Sequence, residues 1–119
     1  MGSVRFIEHK AKRVLLIDLS NCELEEIVSV VKETKKLIAK EEKSSVLTLA
    51  NVTGSNPSIA ITKVLKDFVA FNKPYVRASA VVGVSGIQKL TLEAVIKFSN
   101  RNFALFNTIE EAKEWLVTQ

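Results

Sequence analysis

Four times along this chain an apolar run leads into a polar turn, and a segment whose apolar residues return at helical spacing follows it. Strands that alternate with helices in this way must lie parallel, joined by right-handed crossovers, so the pattern restricts the chain to an α/β sheet covered by helices. The first unit runs from the strand Arg13-Val14-Leu15-Leu16-Ile17-Asp18-Leu19 into a helix with Ser20 and Glu23 at capping-box spacing and Leu24, Ile27, Val28, Val31 and Ile38 on its apolar stripe. The second runs from Val46–Val52 through Thr53-Gly54-Ser55 into a helix capped by Asn56, with Pro57 at its first position and Val64, Leu65, Phe68 and Val69 facing inward. That helix ends at Asn72-Lys73-Pro74, because the residue before a proline is driven out of the helical region.

A third unit joins the strand Tyr75–Val84 through Ser85-Gly86 to a helix with Ser85 and Gln88 at capping-box spacing and Leu90, Ala94, Val95 and Phe98 buried. The fourth joins Phe103-Ala104-Leu105-Phe106 to a closing helix capped by Thr108 and Glu111 that buries Ile109, Ala112, Trp115 and Leu116. Ahead of all four stands the strand Val4–His9, linked to Arg13–Leu19 by Lys10-Ala11-Lys12, a connection short enough only for an antiparallel hairpin. The predicted order is β-β-α-β-α-β-α-β-α: a mixed, mostly parallel five-stranded sheet with four helices, in one domain over residues 1–119.

A chain of 119 residues hides roughly two-thirds of its extended surface on folding, so one core suffices without a disulfide or metal staple. No apolar run approaches the length of a membrane span, and the start Met1-Gly2-Ser3-Val4-Arg5 has no secretory leader, so the expected location is cytoplasmic. Cys22 is the single cysteine, and with His9 and scattered carboxylates it gives no metal-ligand spacing, so no metal and no cofactor is expected. The net charge of +4 is spread over single and paired lysines along helix surfaces, which reads as solvated faces and argues against nucleic acid as a partner.

The stretch Ala80-Val81-Val82-Gly83-Val84, the helix after it, and the closing Phe106-Asn107-Thr108-Ile109-Glu110-Glu111-Ala112-Lys113-Glu114-Trp115-Leu116 resemble the SpoIIAA-like branch of STAS domains. The resemblance covers nearly the whole chain in element order, and its sharp residues lie in the last third. It implies a bacterial-type, non-enzymatic regulatory module that binds a protein partner. Because SpoIIAA-like members are grouped with CRAL-TRIO lipid-transfer folds, it also implies an alternative role as carrier or sensor of a small apolar or anionic ligand. In the antagonist branch an Asp-Ser-Ser-Gly type loop opens the helix after the third strand, with one serine phosphorylated. Ser58 is the positional match, with Asn56 in place of the acidic residue, Pro57 next, and Ile59 in place of the glycine.

In an open α/β sheet the loops after the carboxyl ends of parallel strands gather on one rim beside helix amino termini. That rim should collect Ser20, Asn21, Thr53, Gly54, Ser55, Asn56, Ser58, Ser85 and Gly86 as a partner or ligand surface. The same residues are also the ordinary choices for turns and caps. No catalytic residue is expected: His9 belongs to the first hairpin, Cys22 is placed in a first helical turn that would lower its thiol pKa, and neither has a base or nucleophile to pair with. Phe68, Phe71, Phe98, Phe103, Phe106 and Trp115 read as packing residues. Homo-oligomers through sheet edges or helix faces stay open, and the second helix, Ile59 to Phe71, is the expected contact element.

Overall fold

The computed structural model describes residues 2–54, 58–84 and 102–119. They form strands β1 (Ser3–His9) and β2 (Lys12–Asp18), helix α1 (Leu24–Ile38), strand β3 (Val46–Asn51), helix α2 (Ile59–Asn72), strands β4 (Val76–Val82) and β5 (Phe103–Phe106), and helix α3 (Ile109–Leu116). The helix expected from Ser85 and Gln88 onward, with Leu90, Ala94, Val95 and Phe98, lies outside the described residues.

The five strands pair in sequence order, β1-β2-β3-β4-β5. β1 runs antiparallel to β2, whereas the β2–β3, β3–β4 and β4–β5 pairs are parallel. His9 pairs with Lys12, so the hairpin turn is the two residues Lys10 and Ala11, at φ 50° and 67°. Two central residues with positive φ define a type I′ turn, whose twist matches that of the strands and which normally uses Asn-Gly.

Alternation along β2 serves two cores. Leu15 and Ile17 join Ile27, Val30, Val31 and Ile38 of α1 and Phe68 of α2 on one face. Val14 joins Leu47, Leu49, Ala78, Ala80 and Val82, which α3 covers with Ala112 and Leu116, on the other. A strand buried on both faces has no reason to alternate in polarity, which explains the consecutive apolar residues of β2. Within the first core face, Thr48 and Ser79, partners in register, satisfy each other's buried hydroxyls at 2.7 Å.

Two caps differ from expectation. Glu23, not Ser20, precedes α1, and it shares a capping box with Glu26. Ser20 is drawn away by Asp18, whose Oδ1 accepts from its backbone N at 3.0 Å and its Oγ at 2.6 Å. The start of α1 is therefore displaced, so Leu24 is 37% exposed and the stripe consists of Ile27, Val30, Val31, Thr34 and Ile38. Thr34 tolerates complete burial because its Oγ1 donates to the Val30 carbonyl at 2.7 Å. The cap of α2 is Ser58, two residues later than expected, whose Oγ accepts from the Ile61 N–H at 3.1 Å; Asn56 and Pro57 lie outside the described residues. Thr108 caps α3 as expected, accepting from the Glu111 N–H at 3.1 Å.

β3 and β4 contain the one irregularity that alters side-chain direction. Val46 pairs with Val76 but Leu47 pairs with Ala78, which leaves Arg77 as an extra residue in β4. Val76 packs toward α1 and α2 while Ala78, two positions on, packs toward α3. The bulge thus reverses the alternation of the strand.

Candidate functional site

β2 and β3 each end in the same local device. The Oδ1 of Asp18 binds the N–H and hydroxyl of Ser20, and the Oδ1 of Asn51 binds the N–H of Thr53 at 3.1 Å and its hydroxyl at 2.6 Å. Such side-chain-closed turns are what Asp and Asn favour where a strand stops. The loops they start are then joined by backbone bonds: Leu19 N–H to the Asn51 carbonyl at 2.8 Å, Asn21 N–H to the Thr53 carbonyl at 2.8 Å, and Val52 N–H to the Val82 carbonyl at 2.9 Å.

Glycines permit the remaining approach. At Gly83, φ 94°, a Cβ would lie 2.2 Å from the Thr53 Oγ1 and 2.6 Å from its backbone N. At Gly54, φ 73°, it would lie 2.1 Å from the Asn21 Oδ1. Asn21 itself has φ 55°, the left-handed region that asparagine tolerates better than most residues. Of the rim residues expected from sequence, Ser20, Asn21, Thr53 and Gly54 are therefore in one continuous structure. Ser58 is exposed at the start of α2, and Ser55, Asn56, Ser85 and Gly86 lie outside the described residues.

The sequence reasoning passed over three contributors: Asn51, which closes the Thr53 turn; Gly83, which admits Thr53; and Asn107. Asn107 lines a shallow recess of about 110 Å³ with Val84, Leu105, Phe106 and Glu111, extending the rim past β4. The Asx-x-Ser/Thr spacing at 18–20 and 51–53 was the available signal for the first.

Next to the rim stand the first residues of two helices. Ile59 is 79% exposed, a large apolar side chain facing solvent directly after the Ser58 cap, and Leu24 opens α1. Further along α2, Phe71 is 37% exposed, with the Lys35 ammonium 5.4 Å from its ring centre and the Tyr75 ring stacked at 6.0 Å.

Cys22 contradicts its expected placement. It precedes the cap, not the first helical turn, and is buried at 3% exposure in the core beneath α1. Burial, followed by the Glu26 carboxylate, raises its thiol pKa, the reverse of a helix-activated thiol. His9 ends β1 at the far end of the sheet, where its Nε2 and the Lys10 ammonium both meet the Glu114 carboxylate. The Lys10 bond first, then His9, holds the Glu114 carboxyl below its usual range. No group of three His, Cys, Asp or Glu side chains suited to a metal ion occurs among the described residues.

A larger cavity, about 420 Å³ and open to solvent, lies at the opposite end of the sheet from the rim. Its lining includes Phe6, Lys12, Arg13, Glu41, Glu42 and Arg77. No described helix is long and apolar enough to cross a membrane.

No protein-family model and no curated protein sequence matches the chain. Among solved structures it is similar to an uncharacterised DUF3478-family protein with a SpoIIAA-like fold from Shewanella loihica PV-4, at 13% identity and a TM-score of 0.75, covering 98% of this chain and 95% of that one. The hairpin, the parallel strands in sequence order and the closing helix, together with that likeness over almost all of both chains, show that this protein has the SpoIIAA-like α/β fold of the STAS kind.

Proposed function

We propose that this chain is a non-enzymatic, STAS-type interaction module that engages a protein partner through the carboxyl rim and the start of α2. The observation that carries the reading is Ile59. A side chain of that size left 79% exposed, on the first residue of a helix and beside a backbone-knit rim, contributes nothing to the core of this chain. As the first residue of α2 it is free to enter a partner's pocket, and on this reading it is the apolar anchor of that contact. The 420 Å³ cleft among the described residues is open and lined by charges, unlike the closed apolar cavity a lipid carrier uses.

Ser58 gives such a surface a means of control. Its hydroxyl is exposed and adjoins Ile59, and a phosphate at a helix amino terminus is favoured by about 1 kcal/mol, so the fold would keep it while the surface gained negative charge. A catalytic reading has no comparable support, with the Cys22 thiol buried and His9 bound to Glu114.

A photo-crosslinking residue introduced in host cells at position 59, and separately at position 43 in the far α1–β3 loop, tests this. The reading expects a discrete protein adduct from position 59 alone, and an Ile59→Asp variant that binds the purified partner at least about tenfold more weakly. Equal adducts from both positions, or undiminished binding by Ile59→Asp, would overturn it.

A further inference from the structure

We infer that the cleft at the amino-terminal end of the sheet is a second, independent site that binds the carboxylate or phosphate of a small organic anion, with Arg77 as its principal ligand. Arg77 is the inserted residue of the β3–β4 bulge. Bulges are rare in parallel pairs and commonly re-aim one side chain. Here the re-aimed residue is an exposed arginine that lines the cleft and has no ion pair or hydrogen bond among the described residues.

The surrounding wall is held in place. Ser44 N–H bonds the Pro74 carbonyl at 3.0 Å, and the Ser45 and Val46 N–H groups both bond the Tyr75 carbonyl at 3.0 Å, so the loop before β3 is fixed to the start of β4. Across the cleft the Arg13 guanidinium lies over the Phe6 ring, 3.9 Å from its centre. It pairs with Glu41 at 3.3 Å through Nη1, which leaves most of its N–H donors uncommitted. Lys12 Nζ donates to the backbone oxygen of the last residue, Gln119, at 3.4 Å.

Lys12, Arg13 and Arg77 share the cleft with Glu41, Glu42 and the last residue, Gln119, and the Arg13–Glu41 pair removes one charge of each sign. Arg77 remains without a partner among the described residues, so its guanidinium is open to an added anion. A planar guanidinium binds carboxylate or phosphate oxygens in pairs, which a lysine does not, and the 420 Å³ space accommodates a small metabolite.

Amide NMR titration of the whole chain at constant ionic strength tests the site, with inorganic phosphate and succinate as separate probes and sodium chloride as the control. One of the two probes should give saturable shifts confined to residues 12–13, 45–47 and 77, and the responding probe identifies the preferred group. Arg77→Met should weaken that binding by about tenfold or more, Arg77→Lys by less, and Glu42→Gln should tighten it a few-fold. Both arginine substitutions are at an exposed position, and an otherwise unchanged spectrum will confirm the fold. Shifts that fail to saturate with either probe, that chloride reproduces, or that persist unchanged in Arg77→Met would overturn the inference.

Discussion

The two ends of the sheet both join their loops by backbone hydrogen bonds but differ in what is added to them. At the carboxyl end the loops after β2, β3 and β4 are joined by backbone hydrogen bonds, and the positive-φ positions Gly54, Gly83 and Asn21 carry residues suited to them. At the amino end the positive-φ positions are Lys10, Ala11 and Ser44, none of which favours that region, and side-chain charges add to the backbone bonds from Ser44, Ser45 and Val46: Arg13 to Glu41, and Lys10 and His9 to Glu114. Backbone bonds knit both ends, and the amino end adds arranged charges to them. A surface of fixed shape suits a protein partner, whereas a surface of arranged charges suits a small ion, and the two proposals are divided along that line.

Substitutions at the glycines should break the contrast most strongly. Gly83→Ala places a Cβ against the Thr53 backbone, which cannot swing aside, and in a backbone conformation alanine resists; a loss of about 3 kcal/mol or more is expected from urea unfolding. Gly54→Ala meets the end of the Asn21 side chain instead, so it should cost about 1–2 kcal/mol, and Asn21→Gly in the same chain should recover part of it. If the two alanine variants lost equal stability, the distinction between backbone and side-chain contact would be wrong.

At the amino end the expected sign reverses. Ala11→Gly relieves a positive φ in the hairpin turn and should stabilise the protein by about 0.5–1 kcal/mol, measurable as a higher urea midpoint. The smallest effect belongs to Glu114, whose folded pKa is lowered by Lys10 and then His9. A depressed carboxyl pKa contributes stability above its unfolded value and loses it as pH falls through the folded one. Wild type should therefore exceed Glu114→Gln slightly at neutral pH, and the two should converge as the pH falls through the lowered folded value. Because the carboxylate is half exposed, high salt should shrink the difference as well.

Much of the fold was legible because strand and helix periods separate cleanly in this chain. The run from Arg13 to Leu19 is apolar at successive positions since both faces of β2 are covered, and Thr108 with Glu111 marks the start of α3 without ambiguity. The errors came where side chains compete. Ser20 has capping-box spacing with Glu23, yet Asp18 two residues earlier offers its N–H and hydroxyl a nearer acceptor, and the helix start moves to Glu23. That shift alone takes Cys22 out of the helix and into the core.

The rim was predictable as a place but not in its construction. Topology puts the loops after Asp18, Asn51 and Val82 on one border, whereas the fit of Gly83 against Thr53 depends on a register that sequence does not state. The bulge at Arg77 left no signal, because Val76 and Ala78 read as members of one face until the strand is paired with β3.

Native-state hydrogen exchange at the Leu19, Asn21 and Val52 amides, in wild type and Gly83→Ala, tests most directly whether the carboxyl rim is a single structural unit. The three amides, which bond Asn51, Thr53 and Val82, should open with a common free energy in wild type and exchange faster together in the variant. Faster exchange confined to Val52, with Leu19 and Asn21 unchanged, would mean that the loops move separately and that no common docking surface exists.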